Sequence, residues 1–290
     1  MKINLNTKIG FVGLGMVGGN LYNNFNKRKY KNLIRYDVSP EFCENGKLIK
    51  KAKVVFIAVP ANTTPWGFDV KNLVEALELT NEGSIVVIKS TVPPEILRKF
   101  QKIYYDRTIL FCPEFLTEKT AEVDTDFPDR NIVGVVSMYS DYDIGRAKQI
   151  LKILPKAEYN KICTYEEASL IKYAGNCFFY VKNVFFNVIY DLAKAYGADW
   201  DIIRDMIISD SRINPVHTNP VHKGGRGAGN KCLIKDFAEL NRMVDDFMPN
   251  DKKARKMLKV IAKKNRELLL DSGKDVDLVN GVYGKSIFKF

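Results

Sequence analysis

Cys232 stands in the run Gly227-Ala228-Gly229-Asn230-Lys231-Cys232-Leu233-Ile234-Lys235-Asp236, and near the amino terminus the chain closes a Gly13-Leu14-Gly15-Met16-Val17-Gly18 turn. A thiolate can attack a carbonyl carbon and hold it covalently. Glycines at GxGxxG spacing let a backbone approach a pyrophosphate closely. Together they point to an oxidation that passes through a carbon–sulfur bond, which a simple alcohol dehydrogenase does not need. A free cysteine is more often a small buried hydrophobe than a nucleophile. Cys232, however, is expected to begin a helix, where the dipole lowers a thiol pKa, and Lys231 and Lys235 add positive charge.

A lone glycine turn is a weak signal, so its context decides. Here it follows the strand Lys8–Val12 and opens a helix from about Met16, whose amino terminus would face the pyrophosphate. The second strand, Leu33–Tyr36, ends at Asp37, roughly 20 residues on, where an acid accepts from a ribose 2′ hydroxyl and repels a 2′ phosphate. Asp37 therefore predicts NAD rather than NADP, the alternative being a strand-end turn former.

Short apolar runs at Lys8–Val12, Leu33–Tyr36, Val54–Val59, Ile85–Ile88, Ile109–Phe111 and Ile132–Val135 alternate with amphipathic segments. This is the pattern of a parallel sheet covered on both faces. Residues 1–160 are thus expected to form a Rossmann-type doubly wound α/β domain that binds NAD. From Thr164 the period becomes helical, and residues 161–290 are expected to form an all-helical second domain carrying the cysteine loop. Thr164-Tyr165-Glu166-Glu167 reads as a capping box. Cys177–Ile189 is apolar on most of its circumference, while Lys172, Asn176, Asn183 and Asn187 form one polar stripe that must be hydrogen-bonded or functional. Residues 211–231 form a Gly/Asn/Pro-rich loop. Helix resumes from Leu233 to about Asp271, broken near Pro249 and stopped by Ser272-Gly273, before a short tail from Lys274 to Phe290.

At 46% hydrophobic and 27% charged, the 290-residue chain has the composition of a globular protein. No apolar stretch approaches the ~20 residues of a membrane helix, and no signal core opens the chain, so the expectation is a cytoplasmic protein without a membrane partner. The cysteines Cys43, Cys112, Cys163, Cys177 and Cys232 are scattered and never in a CxxC arrangement, which argues against a zinc site and a disulfide framework. His217 and His222 have no nearby carboxylates in sequence and read as loop residues, so no metal is expected. The net charge of +11 is spread along the chain without a nucleic-acid signature, so no nucleic-acid partner is expected. Lys223 and Arg226 are candidates for a phosphorylated ligand.

These residues resemble the UDP-glucose/GDP-mannose 6-dehydrogenase family. Its Gly-rich turn, Cys, two residues, Lys, Asp is met by Cys232, Lys235 and Asp236. Its Ser-Thr-Val-Pro element is Ser90-Thr91-Val92-Pro93, its Pro-Glu-Phe-Leu-x-Glu element is Pro113 to Glu118, and its Lys-x-x-x-Asn helix is Lys172 to Asn176. Asp210-Ser211-Arg212-Ile213 matches the loop whose arginine, in the family, reaches a sugar nucleotide bound by a neighbouring subunit. The resemblance covers residues 8–240 in the family's order. It implies oxidation of a sugar C6 alcohol to a carboxylate with two NAD reduced in succession, UDP-glucose being the first guess. Cys232 would form the thioester, Lys172 and Asn176 would hold the sugar oxyanion, Thr91 and Asp236 would hold water and move protons, and Glu118 would assist hydrolysis. The cofactor would lie against Gly13, Gly15, Met16, Val17, Gly18, Asp37, Val59, Pro60, Ser90, Thr91, Glu118 and Lys235. The substrate would meet Glu114, Phe115, Leu116, Lys172, Asn176, Arg212, Lys223, Arg226 and Gly229.

Taken singly, Asp236 and Glu118 could be helix-start carboxylates and Lys172 a snorkelling lysine. Asn230 departs from a usual glycine, although Asn tolerates the left-handed conformation better than most residues, and Ile234 departs from a frequent proline. The resemblance also implies a short form without the family's third, nucleotide-sugar-covering domain, and a homodimer through the helical domain. The alternatives are a β-hydroxyacid dehydrogenase, which transfers one hydride and has no use for Cys232, and a non-catalytic NAD- or sugar-nucleotide-binding protein.

Overall fold

Apolar runs too short for helices become strands, and amphipathic segments between them become their cover. In this computed structural model, which describes residues 3–285, β1 (Ile9–Val12) leads through α1 (Met16–Lys27) to β2 (Leu33–Tyr36). α2 (Gly46–Ile49) precedes β3 (Val54–Ile57), and a hairpin of β4 (Asn62–Thr64) and β5 (Gly67–Asp69) follows. Then come α3 (Lys71–Glu78), β6 (Ile85–Ile88), α4 (Pro94–Ile103), β7 (Thr108–Phe111) and α5 (Ala121–Asp126). β8 (Arg130–Val135), α6 (Asp141–Ile153) and β9 (Tyr159–Thr164) run into α7 (Tyr165–Ala195). After α8 (Trp200–Ile208) and a ladder of β10 (Val221–His222) with β11 (Gly225–Arg226) come α9 (Lys231–Phe247), α10 (Lys252–Asp271) and α11 (Val276–Tyr283). The end of the expected tail, Ser286–Phe290, lies outside the described residues.

Two compact units result: Met1–Ala61 with Asp69–Lys172, and Asn62–Phe68 with Tyr173–Phe290. The division falls inside α7 rather than at 160/161, because the first turns of α7 are fastened to the sheet. The buried Tyr165 hydroxyl donates to the Ile109 carbonyl (2.5 Å), and Ser169 Oγ donates to the Val92 carbonyl (2.8 Å). The capping box is formed: Thr164 N–H donates to Glu167 Oε2 (2.7 Å) and Glu167 N–H to Thr164 Oγ1 (3.3 Å).

The first unit is a seven-stranded sheet in the order β2-β1-β3-β6-β7-β8-β9. Every residue of β1, β3, β6 and β7 is buried, which is why these strands read as continuous apolar runs. The expected all-parallel sheet needs one correction: β8 pairs antiparallel with β7 and parallel with β9. Between β7 and β8 the short α5 docks on α1, where Lys27 bonds Glu122 and Asp126 (2.8 Å each), instead of crossing the sheet as α6 does between β8 and β9. β9 escapes the sequence pattern because it is an edge strand with its first three residues exposed.

The second unit is mostly helical and also carries the 62–68 hairpin segment and the β10–β11 ladder. Its core includes Tyr180 stacked on Phe237 (centroids 4.0 Å apart) with Val184, Leu233, Leu258 and Ala262. No helix among the described residues is long and apolar enough to cross a membrane, and among the same residues no group of His, Cys, Asp and Glu could hold a metal ion.

Candidate active site

The first unit gathers its candidate residues at one edge of the sheet. The glycine turn follows β1, Val59 and Pro60 follow β3, Ser90 and Thr91 follow β6, and Pro113–Glu118 follows β7, so all lie beyond carboxyl ends of strands. In doubly wound sheets this is the ligand-binding edge, and the order reverses direction at β1, whose neighbours are β2 and β3. The glycines are required by contact. Gly13 has φ +85°, and a Cβ there would sit 2.6 Å from the Ala58 carbonyl oxygen; a Cβ on Gly18 would lie 1.9 Å from the Gly13 oxygen. Around Gly15 there is open space, as a turn that admits a pyrophosphate requires. Asp37 Oδ2 accepts from Leu14 N–H (2.7 Å) and Oδ1 from Ser39 N–H (3.1 Å). Each carboxylate oxygen has a second lone pair, so the acid both shapes the turn and can still accept from a ribose. These features fit NAD. Ser90 Oγ, by contrast, donates to the Val59 carbonyl (2.6 Å) and ties two of the strand ends together.

Lys172 is placed by helix periodicity: Tyr165, Ser169 and Lys172 share the face of α7 that is buried. Its ammonium lies 3.4 Å from Glu114 Oε1, and Glu114 Oε2 accepts from Leu116 N–H (2.6 Å), so this carboxylate links the lysine to the backbone of the 113–118 segment. Phe115 receives two cations on its ring, Arg130 at 4.0 Å and Lys172 at 5.6 Å. A cavity of about 170 Å³ opens here, lined by Glu114, Phe115, Leu116, Lys89 and Arg130 among others. Lys89 and Arg130 were not singled out by sequence. Lys89 is opposite Cys112 at the next register step beyond Ile88 and Phe111, with Nζ 3.4 Å from Sγ, a pairing only strand register could reveal. Glu118 begins a one-turn 3-10 helix and is exposed.

In the second unit Cys232 is exposed in the first turn of α9, as the glycine-rich approach implies. One turn further along the same helix Asp236 is buried, with Oδ1 2.5 Å from Lys235 Nζ and Oδ2 accepting from Asn176 Nδ2 (2.6 Å). Burial pulls the Lys235 ammonium down, but the attraction and hydrogen bond of Asp236, with Cys232 and Glu239 nearby, outweigh it and leave Lys235 above its ordinary value. Glu239, itself buried, accepts from Thr63 Oγ1 (3.0 Å). Asn176, Asp236, Lys235 and Cys232 are therefore brought together as one polar group. Among the buried thiols, burial pushes Cys163 up to about 11 and Cys177 well above the ordinary range.

Asn230 caps α9 through Oδ1, which accepts from Cys232 N–H (2.8 Å). The expected left-handed conformation is only half met: φ is 72° but ψ is 153°, a region almost confined to glycine that costs about 1–3 kcal/mol. The remaining substrate candidates are dispersed. Arg226 is held inside the second unit by Asp191 (2.7 Å), by Asn187 Oδ1 (3.0 Å) and by the Tyr190 ring, which also satisfies the lower part of the Asn stripe. Arg212 is exposed and folds back on Asp210 (2.6 Å). Lys223 is exposed at φ 50° in the β10–β11 turn, and Gly229 lies against the Asp275 carboxylate and the Lys274 side chain.

Comparison with known proteins decides the family. Residues 41–152 match the model of the UDP-glucose/GDP-mannose dehydrogenase family NAD binding domain, and residues 166–266 match that of its central domain. The chain belongs to the UDP-glucose/GDP-mannose dehydrogenase family. Apart from residues 62–68, the part that matches the family's NAD binding domain lies in the first unit. A UDP-glucose 6-dehydrogenase of Rickettsia felis is 30% identical over 228 residues, 76% of this chain and 49% of that protein. The chain spans about half the length of the curated relatives it matches. Among solved structures, a UDP-glucose dehydrogenase from Pyrobaculum islandicum superposes with TM-score 0.74 at 22% identity, over 90% of this chain and 68% of that one. A 3-hydroxyisobutyrate dehydrogenase of Mycobacterium tuberculosis shares the fold at TM-score 0.69 and 18% identity, over 96% and 98% of the two chains.

Proposed function

We propose that the chain is an NAD-dependent nucleotide-sugar 6-dehydrogenase that oxidises a C6 alcohol, with UDP-glucose as the first substrate to test, to the carboxylate through a Cys232 thioester. NAD, when bound, supplies the hydride acceptor and is used twice. The observation that carries the reading is an exposed cysteine in the first turn of α9 with the buried Lys235–Asp236 pair one turn behind it and the half-buried Asn176 donating to Asp236. Once the alcohol has become an aldehyde, the Cys232 thiolate adds to C6 and the carbonyl electrons move to the sugar oxygen, which Lys172 and Asn176 stabilise by donation. Loss of the second hydride from C6 restores the carbonyl as a thioester. Water then adds, the carbon–sulfur bond breaks and Cys232 leaves as thiolate, with Thr91, Asp236 and Glu118 holding the water and taking its protons. Gly13, Gly15, Gly18 and Asp37 hold the cofactor, while Glu114, Phe115 and Leu116 hold the sugar.

The same reading includes a homodimer through α7. Phe178, Phe185 and Leu192 are exposed at seven-residue spacing with Val188 beside them, the repeat by which two helices pack along a seam. The scattered spacing of Cys43, Cys112, Cys163, Cys177 and Cys232, with no CxxC pair, supports a reducing, cytoplasmic setting.

The likeness to 3-hydroxyisobutyrate dehydrogenase over nearly the full length of both chains favours a second reading, a single-hydride β-hydroxyacid dehydrogenase. NADH counted per UDP-glucose consumed separates them. The expected result is two NADH and a carboxylate, with Cys232→Ala forming no acid while still binding NAD. Undiminished turnover by Cys232→Ala, at one NADH per substrate, overturns the thioester route.

A further inference from the structure

The loop that leads into α9 is fastened, residue after residue, to α10 and the corner beyond it. Arg226 N–H donates to Ser272 Oγ (2.9 Å) and Lys274 Nζ to the Gly227 carbonyl (3.0 Å). Ala228 exchanges both backbone groups with the Asn265 amide (2.7 and 3.0 Å), and Asn230 N–H donates to Asp275 Oδ2 (2.6 Å). The approach is close: a Cβ on Gly229 would lie 2.2 Å from Asp275 Oδ2, and one on Gly227 2.9 Å from Asn265 Oδ1, so either would displace a side chain that holds the loop.

Asp275 itself is unusual. It occupies the residue before α11, where an aspartate ordinarily caps the helix with its carboxylate. No such cap is made. Its backbone is left-handed (φ 52°, ψ 30°), and its Oδ2 accepts from Asn230 instead. Asn230 is the residue held at φ 72°, ψ 153° whose side chain caps the first turn bearing Cys232.

We propose that Asp275 is a positioning residue for the Cys232 thiol, holding Asn230 by its N–H in the conformation from which the Asn230 side chain fixes the first turn of α9. The proposal rests on Cys232 being the nucleophile. A chain with glycine at 230 would adopt this backbone without strain; with asparagine there, the conformation needs an external anchor, and Asp275 supplies it.

The test compares Asp275→Ala with Asp275→Asn. Both remove the charge, and only asparagine keeps an acceptor for Asn230 N–H. In the full-length chain, alkylation of Cys232 by iodoacetamide is followed by peptide mass across pH, and kcat and KM are measured by NADH formation from UDP-glucose. A loosened first turn stabilises the thiolate less, so the alanine profile should lie at higher pH than the asparagine profile, with alkylation ~3-fold slower at neutral pH. Misplacement of the nucleophile should lower kcat by roughly 10- to 100-fold in Asp275→Ala with KM for NAD unchanged, and asparagine should restore most of it. In an Asn230→Gly background, which needs no anchor, the alanine change should cost less than about 3-fold. Coincident alkylation profiles for alanine and asparagine, or an equal alanine effect in both backgrounds, would overturn the proposal. Alkylation reads the thiol without turnover. A protein that shows the profile difference but oxidises no sugar nucleotide would therefore refute the dehydrogenase reading and leave the positioning role standing.

Discussion

Replacing Asp236 by Asn tests the polar group behind Cys232 with almost no change in shape. Asp236 is 1% exposed and answers two donors, Lys235 Nζ at 2.5 Å and Asn176 Nδ2 at 2.6 Å. An amide can turn its oxygen to only one of them, so its NH2 must face the other donor. Removing one partner of a buried ion pair costs about 3–5 kcal/mol. Glu239 also attracts Lys235, which puts the expected loss near the lower end, about 3 kcal/mol. For a domain of this size that corresponds to a fall in melting temperature of roughly 6–12 °C. Calorimetry at neutral pH measures it, with Lys235→Met/Asp236→Asn as the second arm. Without the cation the asparagine has one donor to satisfy, and the double variant should recover most of the loss. Because Lys235 is held above its ordinary 10.5, its contribution is full at neutral pH and disappears only as pH rises through the folded value. A single variant melting within about 2 °C of the unmutated protein, under 1 kcal/mol on the same scale, would refute the argument, as would a double variant showing no recovery.

Asp37→Ala should weaken NAD binding by roughly 10- to 100-fold, the worth of a hydrogen bond to a charged acceptor, and narrow the preference over NADP. Parallel titrations of both cofactors check it, and equal affinities in the unmutated protein would mean that Asp37 only shapes the Leu14 turn. His217 packs on Phe179 (4.9 Å), and burial holds its pKa below the ordinary 6.5. The unfolded chain therefore binds its proton first, and stability present above pH 6.5 is lost as pH falls through the folded value. His217→Gln should flatten that acid limb in thermal melts taken from neutral pH downward; an unchanged slope would exclude His217 as its source.

Features governed by neighbours in sequence are legible in the chain itself. The Gly13–Gly18 turn, the Thr164–Glu167 capping box, the break near Pro249 and the helix start at Cys232 each depend on contacts within one or two turns, so residue type and spacing suffice. The motif order also placed Lys172 with Asn176 on one helix and Cys232 with Asp236 on another, because a four-residue spacing is one turn of helix wherever it occurs. What the tertiary structure alone decided involves partners far apart in the chain. The reversal of β8 against β7 depends on where α5 docks; the attachment of 62–68 to the second unit depends on Thr63 meeting Glu239. Likewise Arg226 reads as a free cation for a phosphate until the fold brings Asp191 and Asn187 to it, and Asn230 reads as a tolerable left-handed residue until Asp275 meets its N–H. Local periodicity fixes which face a side chain occupies; which distant group satisfies it is set only when the chain closes and every buried donor and acceptor must find a partner.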